Sequence, residues 1–132
     1  MESYTIGSGS ARPYSLHGSV DTGSPLILVD DSVVAAYYRE VEGAAYDNAQ
    51  GAYTFACNVV LPDITLCISG YNAVVAGRLI NIGPTDATRI SCFGGLQSSD
   101  GFSRNIFGDP LLKSQFVVFD SNGPRMGFAP QA

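Results

Sequence analysis

An all-β domain with one main helix and a short C-terminal helical turn is the fold class the sequence predicts. Three observations carry that expectation. Apolar residues recur in short, alternating or β-branched runs. The 15 glycines and 7 prolines cut the chain between those runs, and only one long segment shows helical spacing. With 132 residues, 45% of them hydrophobic and 14% charged, residues 1–132 form a single domain able to bury its own core.

The elements follow in order. Ser19-Val20-Asp21 leads into a Gly-Ser-Pro turn, and Leu26-Ile27-Leu28-Val29 reads as a buried strand. Asp30-Asp31-Ser32 can cap a helix over about residues 31–42. Val33, Tyr37 and Val41 form one stripe of that helix, and Gly43 closes it. Residues 53–57, 64–68, 71–75, 78–82 and 92–96 read as strands, with Pro62-Asp63 and Ala76-Gly77 as breaks. Residues 109–113 form one helical turn after Gly108. Residues 115–120 and 125–129 form a terminal hairpin about Ser121-Asn122-Gly123-Pro124. Apart from the Gly/Ser-rich stretch at 7–10, no linker, repeat or low-complexity tract stands out.

Charge and cysteine usage exclude several classes. The net charge is -5 and the 7 Lys and Arg residues are scattered singly, so nucleic acid is not an expected partner. No run is apolar and long enough to span a bilayer, so no membrane partner is expected. Met1-Glu2-Ser3-Tyr4 is polar and acidic, unlike a secretory signal. The expected location is cytoplasmic if the chain is complete and secreted if it is a processed fragment. The three cysteines, Cys57, Cys67 and Cys92, have no Cys-x-x-Cys spacing, and the lone His17 is remote from them in sequence. No metal is expected, and the absence of a phosphate loop or nucleotide fingerprint points to no cofactor.

The chemistry centres on Asp21-Thr22-Gly23-Ser24. A strand ends in a carboxylate and the chain then turns sharply, with Gly23 allowing close backbone approach. Thr22 and Ser24 carry hydroxyls able to orient the carboxylate. As a bare tripeptide, Asp-Thr-Gly more often marks a turn than a catalytic group. In an extended strand His17, Ser19 and Asp21 share one face, which makes His17 a second acid/base candidate. The ordinary reading of His17 is a partly exposed side chain. Asp63, Asp109 and Asp120 read as caps or solvated carboxylates, and Tyr37 and Tyr38 as helix packing. Phe102 could line a cleft, and surface cover is the equal alternative.

The surrounding residues raise the catalytic reading. Asp21-Thr22-Gly23-Ser24, Leu28-Val29-Asp30-Asp31-Ser32 with Tyr37-Tyr38, Leu61-Pro62-Asp63, Ile68-Ser69-Gly70-Tyr71 and Leu79-Ile80-Asn81 stand in a recognisable order. So do Cys92-Phe93-Gly94-Gly95-Leu96, Ile106-Phe107-Gly108-Asp109, the run from Lys113 to Asp120, and Gly127-Phe128-Ala129-Pro130. In this the chain resembles the C-terminal lobe of fungal pepsin-like aspartic proteases of the penicillopepsin and aspergillopepsin type. The resemblance implies a truncated half-protease, a single lobe without the N-terminal lobe and its flap, starting beyond that lobe's first strands. It implies a Cys57–Cys92 disulfide, which a cytosolic location would leave reduced. Cys67 has no counterpart and reads as a buried strand thiol. Pro25 stands where the family has a small hydroxyl residue, and it removes an N–H near the carboxylate.

The family works with two aspartates that share a proton, whereas this chain has one Asp-Thr-Gly. Three readings follow. In the first, the lobe is repurposed, with Asp21 as general acid/base, assisted by His17, on a small apolar biosynthetic intermediate undergoing isomerisation, cyclisation or dehydration. In the second, two chains pair as a homodimer and their Asp21 residues form a peptidase dyad. In the third, the chain is a non-catalytic binding domain or a protease fragment. Thr22, Gly23 and Ser24 orient the substrate or the carboxylate in the catalytic readings, and the partner is a small apolar molecule or a peptide.

Overall fold

The computed structural model describes residues 1–102, 104–120 and 125–131, without the side chains of Asp120 and Arg125. Before the helix lie β1 (Ser3–Ile6), β2 (Arg12–Pro13), β3 (Gly18–Val20) and β4 (Ile27–Val29). After helix α1 (Asp31–Arg39) come β5 (Ala45–Asp47), β6 (Ala52–Ala56), β7 (Ile64–Ile68) and β8 (Tyr71–Val75). A 3-10 turn (Gly77–Leu79) leads to β9 (Asn81–Pro84), β10 (Ser91–Gly94), β11 (Leu96–Ser98) and β12 (Asn105–Phe107). Helix α2 (Asp109–Ser114) and the hairpin of β13 (Gln115–Asp120) and β14 (Arg125–Pro130) complete the chain. The architecture is the expected one, mostly strands with one main helix and a short second one.

The strands form three small sheets and a hairpin. Their orders are β2-β1-β7-β8, β5-β6-β10-β9 and β11-β4-β12-β3, with β13 and β14 as the pair. The third sheet is mixed. β12 runs parallel to β3 and antiparallel to β4, so it lies between the strands that enter and leave the Asp21 turn. β4 is buried at all three positions, as a continuous apolar run predicts.

Helix α1 buries the predicted stripe: Val33, Tyr37 and Val41 lie in the core. It ends at Arg39 rather than near residue 42. The Glu40 and Val41 amides turn back to the carbonyls of Tyr37 and Tyr38, and Gly43 takes a positive φ of 76° just beyond. The expected capping side chain is also absent at Asp30. Its main-chain carbonyl accepts from Val33 and Val34, while its carboxylate accepts the Tyr14 hydroxyl at 2.7 Å.

Tyr37 and Tyr38 bury their rings and satisfy their hydroxyls, which donate to the carbonyls of Pro62 (2.8 Å) and Leu96 (2.6 Å). Burial pushes both phenol pKa values well above the usual range. Tyr38 stacks on Tyr53 with ring centroids 4.5 Å apart. A Cβ on Gly94 would run into the Tyr38 hydroxyl, so this glycine is what admits the ring.

Two predicted strands are corrected. Residues 78–82 are not one strand. The chain first makes the 3-10 turn, because Gly77 packs on the Leu61 carbonyl where no Cβ fits, and its amide donates to the Asp63 carboxylate at 2.9 Å. Residues 92–96 are two strands in different sheets, divided at Gly95, whose amide donates to the Ile80 carbonyl and whose carbonyl accepts from Ile27. The sequence predicts no strand at β1, β2, β5 or β12. Strands 64–68 and 71–75 stand as read, and the hairpin turn at 121–124 lies outside the described residues.

Cys57 and Cys92 form a disulfide, their Cα atoms 4.9 Å apart, that closes a loop over a sequence separation of 35. Replacing both with alanine is expected to cost about 3–4 kcal/mol from the released loop entropy. Denaturant melts under oxidising conditions measure this, and a loss below about 1 kcal/mol would mean the bridge contributes no constraint. Cys67 is free and only partly buried, with its sulfur 3.4 Å from a Glu2 carboxylate oxygen.

Candidate active site

Asp21 stands at the end of β3, held there by its neighbour strand. The Asp21 amide donates to the Phe107 carbonyl at 3.0 Å, continuing the parallel β3–β12 ladder by one rung. That ladder requires Gly18. A Cβ there would lie 2.7 Å from the Asn105 carbonyl oxygen and 2.8 Å from the Phe107 ring.

The turn after Asp21 is closed by its own side chain. The Gly23 amide donates to Asp21 Oδ1 at 2.8 Å, and the Ser24 amide approaches the Asp21 carbonyl at 3.4 Å. A carboxylate that accepts a backbone N–H is held in one rotamer. Ser24 Oγ sits 3.3 Å from both the amide and the carbonyl of Leu26, so it braces the turn rather than the carboxylate. Thr22 and Gly23 are exposed at the tip. Pro25 is exposed as well, and the N–H it lacks is not the one that Asp21 uses.

The far side of the turn is pinned by the junction of β12 and α2. The Gly108 amide donates to the Leu26 carbonyl at 3.0 Å, and the Asp109 amide to the Ser24 carbonyl at 2.8 Å. A Cβ on Gly108 would stand 2.3 Å from Ser24 O and 2.4 Å from Leu26 O. Main chain therefore touches main chain here, and only glycine permits it. Gly108, in an element that the resemblance already picked out, and Gly18, which motif reading does not single out, are the positioning residues. The signal was present in Ile106-Phe107-Gly108-Asp109, whose glycine follows an apolar pair.

His17 is placed elsewhere. It is exposed and precedes β3, so the alternation that would align it with Asp21 does not extend back to it. Its carbonyl accepts the Asn105 side-chain amide at 2.8 Å. His17 borders a hollow of about 320 Å³ shared with Leu16, Val20, Phe107 and Phe128. Asp21 does not line that hollow, nor any other described cavity. Phe102 lines a separate groove beside α1 with Tyr46 and Tyr53. Asp63 braces Gly77, as a structural carboxylate would, and no group of three or more His, Cys, Asp or Glu side chains among the described residues is arranged to hold a metal ion.

Chemically, the arrangement presents one oriented, half-buried carboxylate on a rigid loop that opens outward. The chain is 53% identical to Aspergillopepsin-1 of Aspergillus fumigatus over 131 residues, which cover 99% of this chain and 33% of that protein. It is 53% identical to Penicillopepsin-1 of Penicillium janthinellum over 132 residues, all of this chain and 40% of that protein. The chain thus spans between a third and two-fifths of the length of these two relatives. The family model for eukaryotic aspartyl proteases matches residues 1–131, and the chain belongs to that family.

Proposed function

We propose that this lobe supplies one half of an aspartic endopeptidase site, with Asp21 as one of two carboxylates and the second carried by another lobe. One observation carries the reading. Main-chain bonds brace the Asp21 loop on both sides, and the turn that carries the half-buried carboxylate puts Thr22 and Gly23 at an exposed tip, as half of a cleft would. Peptide hydrolysis needs one group to activate water and another to protonate the leaving amine. Two carboxylates at close range divide those roles, since they cannot both ionise.

The second lobe has a surface to meet. On one face of the terminal hairpin Phe116 and Val118, alternate residues of β13, are 64% and 50% exposed. Apolar cover of that kind marks an interaction surface. A second copy of the chain is the simplest supplier, because isologous pairs are the commonest homo-oligomers. Specific activity on an unfolded protein at acid pH, followed against chain concentration, tests the reading. It rises with concentration if two copies complete the site.

The repurposed-enzyme reading has the hollow beside His17 on its side, which is apolar enough for a small intermediate. It ranks second because Asp21, its proposed acid/base, does not line that hollow.

A further inference from the structure

A second hollow opens beside the catalytic loop. It measures about 430 Å³ and is bordered by Pro25 of that loop, by Leu79 and Ile82, and by the charged side chains of Arg78, Lys113 and Asp109. Asn81 also borders it, but both ends of its amide are occupied, by the Cys57 carbonyl and the Gly83 amide. Arg78, on the 3-10 turn, and Lys113, in the last turn of α2, are exposed. Asp109 is half-buried in the first turn of α2, with its amide committed to the Ser24 carbonyl. Two cations against one carboxylate leave this hollow positive in a chain whose net charge is -5.

We propose that this hollow is a substrate subsite selecting an aspartate or glutamate side chain a few residues from the scissile bond. Its stem would lie against Pro25, Leu79 and Ile82, and its carboxylate between Arg78 and Lys113. The inference rests on the half-site reading for its role in substrate choice. Reach supports it. Pro25 follows Asp21 by four residues, so at most about 14 Å of chain separates them. An extended peptide advances about 3.4 Å per residue. A substrate residue within roughly four positions of the cleaved bond therefore has the length to reach the hollow. Charge selection of this kind adds specificity, since a lysine at the same position meets two like charges.

The test uses two peptides identical except for glutamate or lysine at one position. Each is titrated into the wild-type chain, R78E/K113E and D21N, with backbone amide shifts read by NMR. The glutamate peptide should bind the wild type about fivefold more tightly than the lysine peptide, as two solvent-exposed ion pairs allow. Its shifts should fall at Ile82, Gly83 and Lys113. The preference should invert in R78E/K113E, persist in D21N, and fade as pH falls through about 4, where the peptide carboxyl protonates. Equal affinities, shifts confined to other surfaces, or no binding of either peptide would overturn the proposal. Cleavage without charge preference would sink this inference alone. Binding at the hollow without cleavage at any chain concentration would instead sink the half-site reading.

Discussion

Asp21→Asn is expected to reduce peptide hydrolysis by the completed site on the order of a thousandfold or more, with folding unchanged. The substitution is nearly isosteric. An asparagine Oδ1 still accepts the Gly23 amide that Asp21 accepts at 2.8 Å, so the turn keeps its closing bond. Stability should stay within about 0.5 kcal/mol of wild type. What disappears is a group able to take a proton from water and return one to the leaving amine. Mixing adds a finer test. If two copies form the site, equal amounts of wild type and variant leave about a quarter of the dimers with both carboxylates. Activity should fall to that level once the chains exchange. Activity that follows the wild-type fraction linearly would mean that each chain acts alone.

Gly108→Ala is expected to remove activity by a different route, through the fold. Its new Cβ would stand 2.3 Å and 2.4 Å from two backbone carbonyl oxygens, those of Ser24 and Leu26. Neither can swing aside like a side chain, because β4 and β12 are paired with each other and with β11 and β3. The main chain must separate, losing the Gly108 and Asp109 amide bonds that pin the turn. A cost of about 3 kcal/mol is expected, near the upper end of overpacking effects. Gly51→Ala is the control: φ is 68° there, and nothing lies within 4 Å of the added Cβ. It should cost only about 1–2 kcal/mol of backbone strain. Denaturant midpoints of the two variants decide the matter. Equal losses would mean that the close crossing at Gly108 contributes nothing.

How much of this was legible depends on whether the cause is local. Strands 64–68 and 71–75 alternate cleanly and are bounded by Pro62-Asp63, Ser69-Gly70 and Ala76-Gly77, so sequence alone places them. The helix is legible for a similar reason, since its stripe repeats every four residues. Residues 78–82 look like a strand because Leu79, Ile80 and Ile82 make a short apolar run. The turn there comes from a tertiary contact, Gly77 against the Leu61 carbonyl, which no local pattern reveals. The break at Gly95 is of the same kind, since a strand run gives no sign of changing sheets. β1 has only Tyr4 and Ile6 as apolar positions and runs straight into a Gly/Ser-rich stretch, so its pattern is too short to read as a strand.

The site divides along the same line. Asp21-Thr22-Gly23 is readable as a turn with a carboxylate, and the resemblance gives that carboxylate its meaning. The residues that hold the turn, Gly18 and Gly108, act through β12, more than 80 residues later in the chain than β3. His17 and Asp21 flank β3 at its two ends, and His17 borders a hollow that Asp21 does not line. Pro25 raised the prospect of a missing donor, but the donor in use is the Gly23 amide.

The measurement that tests the central claim most directly is specific peptidase activity against chain concentration at acid pH, with the molecular mass recorded at each point. A single Asp-Thr-Gly carboxylate per chain predicts that the monomer is inactive. Activity per chain should climb in step with the fraction of chains in two-lobed assemblies, and D21N should show none at any concentration. Hydrolysis by a demonstrably monomeric chain at constant specific activity would contradict the account, as would fully assembled protein that leaves peptide bonds intact.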